Sequence, residues 1–250
     1  MDIPKAIENN PNHENFEARC PTCLQLNIFN RASDIKSSRL ITGQVVVCQN
    51  DKCKKEFWIG GDLVNPAWQM VIRDCWMLKP QKRYAYCILN LCQAYEMYFS
   101  LCLRVMLIYK PYNVASTHDL AGQNELSRML YEKIKGWTYL SLRNALMHLI
   151  IDDVQCQNLL QCQNAINNLV SNDPSDELLR TIKDKKLSDA LLDLKNNTIH
   201  VFRNQVVHKN GYRPTLEEVE KAEEDTRMLY KLDHCLYLLG IQTAAYDTSL

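Results

Sequence analysis

A mainly α-helical chain preceded by a small β unit is predicted by three observations. Two paired-cysteine runs, Cys20-Pro21-Thr22-Cys23 and Cys48-Gln49-Asn50-Asp51-Lys52-Cys53, lie close to the start of the sequence among β-rich residues. Glycine and proline then become scarce. Between Gly122 and Gly211 only Gly136 and Pro174 interrupt the chain, which favours a helical body. Beyond residue 82, apolar side chains recur at steps of three and four, the period of one helix face. A length of 250 residues suits one or two domains.

Residues 1–17 are polar and include Pro11 and His13, so they are expected to form a mobile arm. The four cysteines follow in C-x2-C and C-x4-C spacing. Two such knuckles in a reducing compartment suit one tetrahedral zinc ion, with Cys20, Cys23, Cys48 and Cys53 as thiolate ligands. The surrounding residues fit. Ile41 to Val47 is β-rich and runs into the second knuckle, and Phe57-Trp58-Ile59 leaves it before Gly60-Gly61. Residues 18–61 thus resemble a zinc ribbon, a unit too small to fold around a core of its own without a metal staple. The C-x4-C spacing departs from the commoner C-x2-C, and four reduced core cysteines are the alternative.

Residues 62–81 are expected to hold a linker and a short helix over Trp68 to Leu78. The helical domain is expected over residues 82–240. Its first long helix carries the stripe Ala85, Ile88, Cys92, Tyr95, Phe99, Cys102 and Met106, and should end before Pro111. A polar loop over Asn113 to Asn124 leads to one helix from Glu125 to Ile151, with Gly136 tolerated inside it. Gln155 to Val170 gives another helix, and Pro174 is placed as the first residue of the next. Leu187 to His208 reads as one or two helices. A last helix is striped by Leu216, Val219, Ala222, Leu229, Leu232, Leu236 and Leu239 and stops at Gly240, leaving residues 241–250 as a tail. Cys75, Cys87, Cys92, Cys102, Cys156, Cys162 and Cys235 fall within helical patterns and are expected to be small core residues.

Charge and cysteine usage narrow the function classes. Lys and Arg number 29, as do Asp and Glu, so no global basic field advertises a non-specific nucleic-acid binder; a local basic cleft remains compatible. Eleven cysteines, an odd number scattered through apolar segments, argue against a disulfide framework and for a cytoplasmic address. Met1 to Lys5 has no apolar core of the signal-peptide kind. The most apolar run, Cys87 to Tyr109, contains Asn90, Gln93, Glu96 and Arg104, so it suits a buried central helix and no membrane association is expected.

The stretch Val201-Phe202-Arg203-Asn204-Gln205-Val206-Val207-His208-Lys209-Asn210-Gly211 carries the chemistry. Asn204 and His208 are four apart and share a helix face, and the long stem of Arg203 brings its guanidinium towards them. Asn210-Gly211 is a helix stop, and Pro214 with Thr215-Leu216-Glu217-Glu218 starts a new helix with a capping box. Arginine offers a planar fork of donors for phosphate oxygens, and histidine exchanges a proton near neutral pH. RNA supplies its own nucleophile, the 2′-hydroxyl. Such a set suits metal-free phosphodiester cleavage.

Arg203-Asn204-x-x-x-His208, the Lys-Asn-Gly turn and the Glu-rich helix resemble the signature of the HEPN superfamily (higher eukaryotes and prokaryotes nucleotide-binding domain) over residues 81–240. The resemblance implies a helical bundle and a metal-independent endoribonuclease, of a bacterial toxin or phage-defence type. Arg203, Asn204 and His208 would be its catalytic residues, with RNA as substrate. It also implies a homodimer in which arginine and histidine of two protomers line one cleft, and an antitoxin or other protein partner. Gln93-Ala94-Tyr95-Glu96 is similar to the first helix of such domains; Glu96 would orient His208 or Arg203, or pair structurally with Arg104. Arg143-Asn144-Ala145-Leu146-Met147-His148 matches the same spacing, but core-like neighbours and the lack of a following turn favour a structural or cleft-lining role. A non-catalytic RNA- or nucleotide-binding module, or a protein-interaction scaffold, are the rival functions.

Overall fold

The computed structural model describes residues 15–30, 34, 44–59, 67–111, 120–209, 211–239 and 241. Two small β hairpins around a four-cysteine cluster precede a mainly helical body, and the chain divides into two compact units between Met70 and Val71. Residues 1–14, residues 60 and 61 at the end of the expected ribbon, the expected linker residues 62–66 and the tail beyond 241 lie outside the described residues.

In the N-terminal unit, β1 (Asn15–Arg19) pairs antiparallel with β2 (Leu26–Asn30), and β3 (Gln44–Val47) with β4 (Glu56–Ile59). Residues 15–17, expected in the arm, belong to β1 because the first knuckle folds them back onto β2. Each knuckle is the turn of one hairpin. The alternation of a strand buries Val46 and leaves Val45 and Val47 exposed. Ala18, Phe29, Val46 and Phe57 make a miniature core with Cys20 and Cys48, with the phenylalanine rings 6.3 Å apart. The two hairpins form separate two-stranded sheets. The Gln49 side chain joins them by imitating a strand. Its Oε1 accepts from the Ile28 N–H at 3.0 Å and its Nε2 donates to the Ile28 carbonyl at 2.6 Å. The Gln49 N–H donates to Oδ1 of fully buried Asn27 at 2.6 Å, so both faces of the junction are satisfied.

The helical unit is built on α2 (Tyr84–Arg104), which follows α1 (Ala67–Leu78) and continues as a π turn over Val105–Tyr109. Lys110 donates its N–H to the Val105 carbonyl there, and helical geometry runs through Pro111, one residue further than expected. The span Tyr84–Tyr109 is long and apolar enough to cross a bilayer, yet 72% of that apolar window is buried within the fold, as suits a central helix. Leu91, Tyr95, Tyr98 and Phe99 are buried along it.

The helix expected from Glu125 to Ile151 is two helices, α3 (Leu120–Ile134) and α4 (Tyr139–Ile151). Gly136 sits at φ +77°, the left-handed geometry that ends helices, and Thr138 then caps α4 by accepting from the Ser141 N–H. Leu120 to Asn124, expected as loop, is the first turn of α3. The next helix is shorter than expected: α5 (Leu159–Asn167), capped by Asn158. Pro174 is not a first helical residue. Ser175 is the N-cap of α6 (Asp176–Leu179), its hydroxyl accepting from the Leu178 N–H. The Leu187 to His208 segment is α7 (Lys185–Lys195) and α8 (Ile199–His208), and α9 (Leu216–Leu238) opens with the expected capping box of Thr215 and Glu218. Helices α4, α8 and α9 pack on α2, and α7 packs on α9. Asn197, just before α8, is buried, donating to the Tyr95 hydroxyl at 2.7 Å and accepting from the Ile199 N–H. That pair sets where α8 starts against the core.

Candidate functional site

The four knuckle cysteines meet. Their sulfurs all lie within 4.8 Å of one another, with Cys20 and Cys53 at 3.9 Å and Cys23 and Cys48 at 3.6 Å. Four thiolates at 2.3 Å from one ion in tetrahedral array sit about 3.8 Å apart, so the set fits such an ion without rearrangement. Cys20 and Cys48 are buried, while Cys23 and Cys53 are half-buried. Burial raises the Cys20 thiol, but the N–H groups of Cys23 and Thr22 and the thiols of Cys48 and Cys23 outweigh it and hold it down to about 6. Burial dominates at Cys48, with the other thiols adding to it, and pushes that thiol up to about 11. A cluster with one acidic thiol and backbone N–H donors around it is chemistry suited to binding a soft cation.

The unequal spacing has a structural reason. In the first knuckle the Leu24 N–H returns to the Cys20 carbonyl at 2.8 Å, and Leu24 has φ +59°. In the second the Lys54 N–H returns to the Asn50 carbonyl at 3.0 Å, and Lys54 has φ +47°. Asn50 therefore takes the turn position held by Cys20, and the second knuckle carries two extra residues. Those are put to use. Gln49 bridges the hairpins, and the Asn50 Nδ2 donates to the Cys23 sulfur at 3.7 Å. Neither role is visible in the spacing alone.

The two Arg-Asn-x-x-x-His sets have opposite fates. Arg143 is 4% exposed on α4. Its Nε and Nη2 donate to Asn144 Oδ1 at 3.0 and 2.8 Å, Nη1 to the Lys195 carbonyl at 2.8 Å, and Nη2 to Asp173 at 2.7 Å. Asn144 donates to the Ser171 carbonyl, and the His148 ring pairs with the Asn172 carbonyl. This set fastens the segment 171–173 to α4 and to the end of α7.

On α8 the same letters lie at the surface. Arg203 is half-buried and donates to Asn204 Oδ1 at 3.2 Å; Asn204 and His208 are exposed. His208 is the last residue of α8, one turn beyond Asn204. Gly211 follows at φ +83°, and the capped start of α9 closes the hairpin. Across from α8, Glu96 is half-buried on α2. Burial raises its carboxyl above the ordinary range, and the Arg203 guanidinium opposes that shift. Arg203 and Glu96 thus feel one another, whereas His208 stands at the open end of the helix. One neighbour was not expected. His200 stacks on Tyr139 with ring centroids 5.4 Å apart, and burial followed by the Arg143 charge lowers its pKa. Its spacing from Asn204, one helical turn, was the only signal in the sequence.

No family model matches the chain, and no curated protein or solved structure matches it.

Proposed function

We propose that the chain is a metal-independent endoribonuclease of HEPN type whose N-terminal unit is a zinc ribbon. The observation that carries the nuclease reading is the contrast between the two Arg-Asn-x-x-x-His sets. Arg143, Asn144 and His148 are consumed by contacts within the fold, while Arg203, Asn204 and His208 are presented at an exposed helix end beside a half-buried carboxylate. In the reaction, one His208 imidazole takes the proton of the RNA 2′-hydroxyl. The 2′-oxygen bonds to phosphorus, the bond to the 5′-oxygen breaks, and a second imidazole protonates the leaving oxygen. Arg203 stabilises the extra charge on the phosphorane-like transition state. Asn204 holds Arg203 through its side-chain oxygen. The zinc, held by Cys20, Cys23, Cys48 and Cys53, is structural, joining hairpins whose core is only a few side chains.

One chain offers a single His208, and cleavage uses both a base and an acid. A homodimer about a two-fold axis, bringing two α8 ends to one cleft, supplies both and gathers two Arg203 cations in a protein of zero net charge. Mixing wild type with a growing excess of His208→Ala protomers tests this. A mixed dimer holds one imidazole, so a shared site loses cleavage as the square of the wild-type fraction. A loss merely proportional to that fraction, or a wild-type monomer cleaving at full rate, contradicts it.

A further inference from the structure

The turn between α1 and α2 carries positive charge that the fold leaves unanswered. Its residues, Lys79-Pro80-Gln81-Lys82-Arg83, lie in a run from Cys75 to Tyr95 that holds no acidic side chain, in a protein of zero net charge. Lys79 has a partner, with its Nζ 2.5 Å from Glu223 Oε2. Lys82 and Arg83 are exposed, and no ion pair among the described residues takes up either one. The turn that presents them is well fixed. The Lys82 N–H donates to the Lys79 carbonyl at 2.9 Å, the Arg83 N–H to the Leu78 carbonyl at 3.1 Å, and Gln81 Nε2 to the Met77 carbonyl at 2.9 Å. Just below, the Cys75 thiol donates to the Cys87 carbonyl at 3.6 Å and the Cys87 thiol to the Cys75 carbonyl at 3.9 Å, which pins α1 to α2. The Arg83 guanidinium lies 4.6 Å from the centroid of the Tyr86 ring, and Tyr86 is 54% exposed. These cations do not serve the fold. α2 has no acidic residue in its first turn and no side-chain cap, so Lys82 and Arg83 stand at the positive end of a 21-residue helix and oppose its dipole.

We propose that Lys82, Arg83 and Tyr86 anchor single-stranded RNA on the helical unit, a role that rests on RNA being the substrate at α8. The two cations face phosphate oxygens, and the exposed Tyr86 ring offers a base a surface to stack on. The strand has a path to the cleavage site. From Tyr86 the outward face of α2 continues at helical spacing through Asn90 and Gln93 to Met97, exposed or half-buried throughout. Asn90 and Gln93 are uncharged and can both donate and accept, so they suit a strand of bases and sugars. Asn197 donates to the Tyr95 hydroxyl at 2.7 Å, which places the start of α8 beside this stretch of α2. Tyr86 and Glu96 are ten residues apart, about 15 Å of helix. An acidic protein would meet the same two cations, but it has no use for the stacked aromatic or for the amides beyond it. The anchor uses no residue of α8, so it is tested by binding and not by cleavage.

Binding of the zinc-loaded full chain to a short fluorescent single-stranded RNA, 2′-O-methylated so that it stays intact, is followed by anisotropy over a range of salt concentrations. The double variant Lys82→Gln/Arg83→Gln should bind at least tenfold more weakly. Its slope against log salt should be shallower by about 1.4, two phosphate contacts at about 0.7 each. Tyr86→Ala should weaken binding about tenfold and leave the slope unchanged. The double variant should melt no lower than wild type, since it removes charges that oppose the helix dipole. RNA bound no more tightly by the wild type than by the double variant overturns the proposal. Polyglutamate displacing the RNA at equal concentration of charge also overturns it, in favour of an acidic protein partner. A wild type that binds in this way yet leaves unmethylated RNA intact keeps the anchor and removes the nuclease. A double variant that binds and cleaves as the wild type does removes the anchor and keeps the nuclease.

Discussion

Truncating Arg143 and Arg203 in parallel separates a structural from a presented guanidinium carrying the same neighbours in sequence. Arg143→Ala removes four hydrogen bonds made by a side chain that is 5% exposed. It strands the Lys195 carbonyl and Asn144 Oδ1 in the interior, at roughly 1–3 kcal/mol for each unsatisfied group. Asp173 is 52% exposed and rehydrates, so its lost ion pair adds little. The sum is about 3 kcal/mol. Arg203→Ala removes one bond to an exposed amide, a change that stays within about 0.5 kcal/mol. Urea denaturation followed by helical ellipticity, with a slope of about 2 kcal/mol per molar, should show the midpoint falling by roughly 1.5 M for Arg143→Ala and hardly moving for Arg203→Ala. Equal losses for the two variants, or the larger loss for Arg203→Ala, would refute the assignment of roles.

Metal analysis of freshly purified protein should find one zinc per chain, and chelation should remove amide protection in residues 44–59 while leaving that of α2; protein free of zinc, or Cys48→Ser with unchanged metal content, contradicts the ribbon. Glu96 gives a pH dependence. Its folded carboxyl is raised above the ordinary value of 4.5, so the stability it contributes is full below that value and is lost as pH rises through the folded one. Glu96→Gln should therefore be more stable than wild type at pH 7 and lose part of that decline. A variant less stable at pH 7 would show that attraction to Arg203 outweighs burial.

Much of the architecture is legible because it rests on local rules. The α2 stripe, the Thr215–Glu218 capping box and the Gly211 turn are set by residues within one or two turns of each other. Gly136 misleads because the apolar period runs straight through it. The competing signal was a glycine two residues before a threonine cap, and the backbone followed the cap. Pro174 misleads similarly, since Ser175 supplies the hydroxyl that proline cannot. At the site, local sequence gives the Arg203–Asn204–His208 set and the four thiols but not what distinguishes the set from its twin. That difference comes from Ser171, Asn172 and Asp173, some thirty positions downstream of Arg143, and from the Lys195 carbonyl. Likewise the C-x4-C spacing makes sense only once Gln49 is seen holding Ile28 across the hairpins.

Metal-free RNA cleavage by the α8 site is tested by incubating purified protein with RNA in EDTA and comparing wild type with His208→Ala. Because His208 is exposed at a helix end, its truncation leaves the helical unit folded, so lost cleavage reports chemistry rather than stability. The expected result is RNA ending in 2′,3′-cyclic phosphate and 5′-hydroxyl groups in EDTA, and at least a hundredfold less of it from His208→Ala. Cleavage that stops on chelation although the helical unit remains folded, cleavage that persists in His208→Ala, or RNA bound and left intact by the wild type would each contradict it.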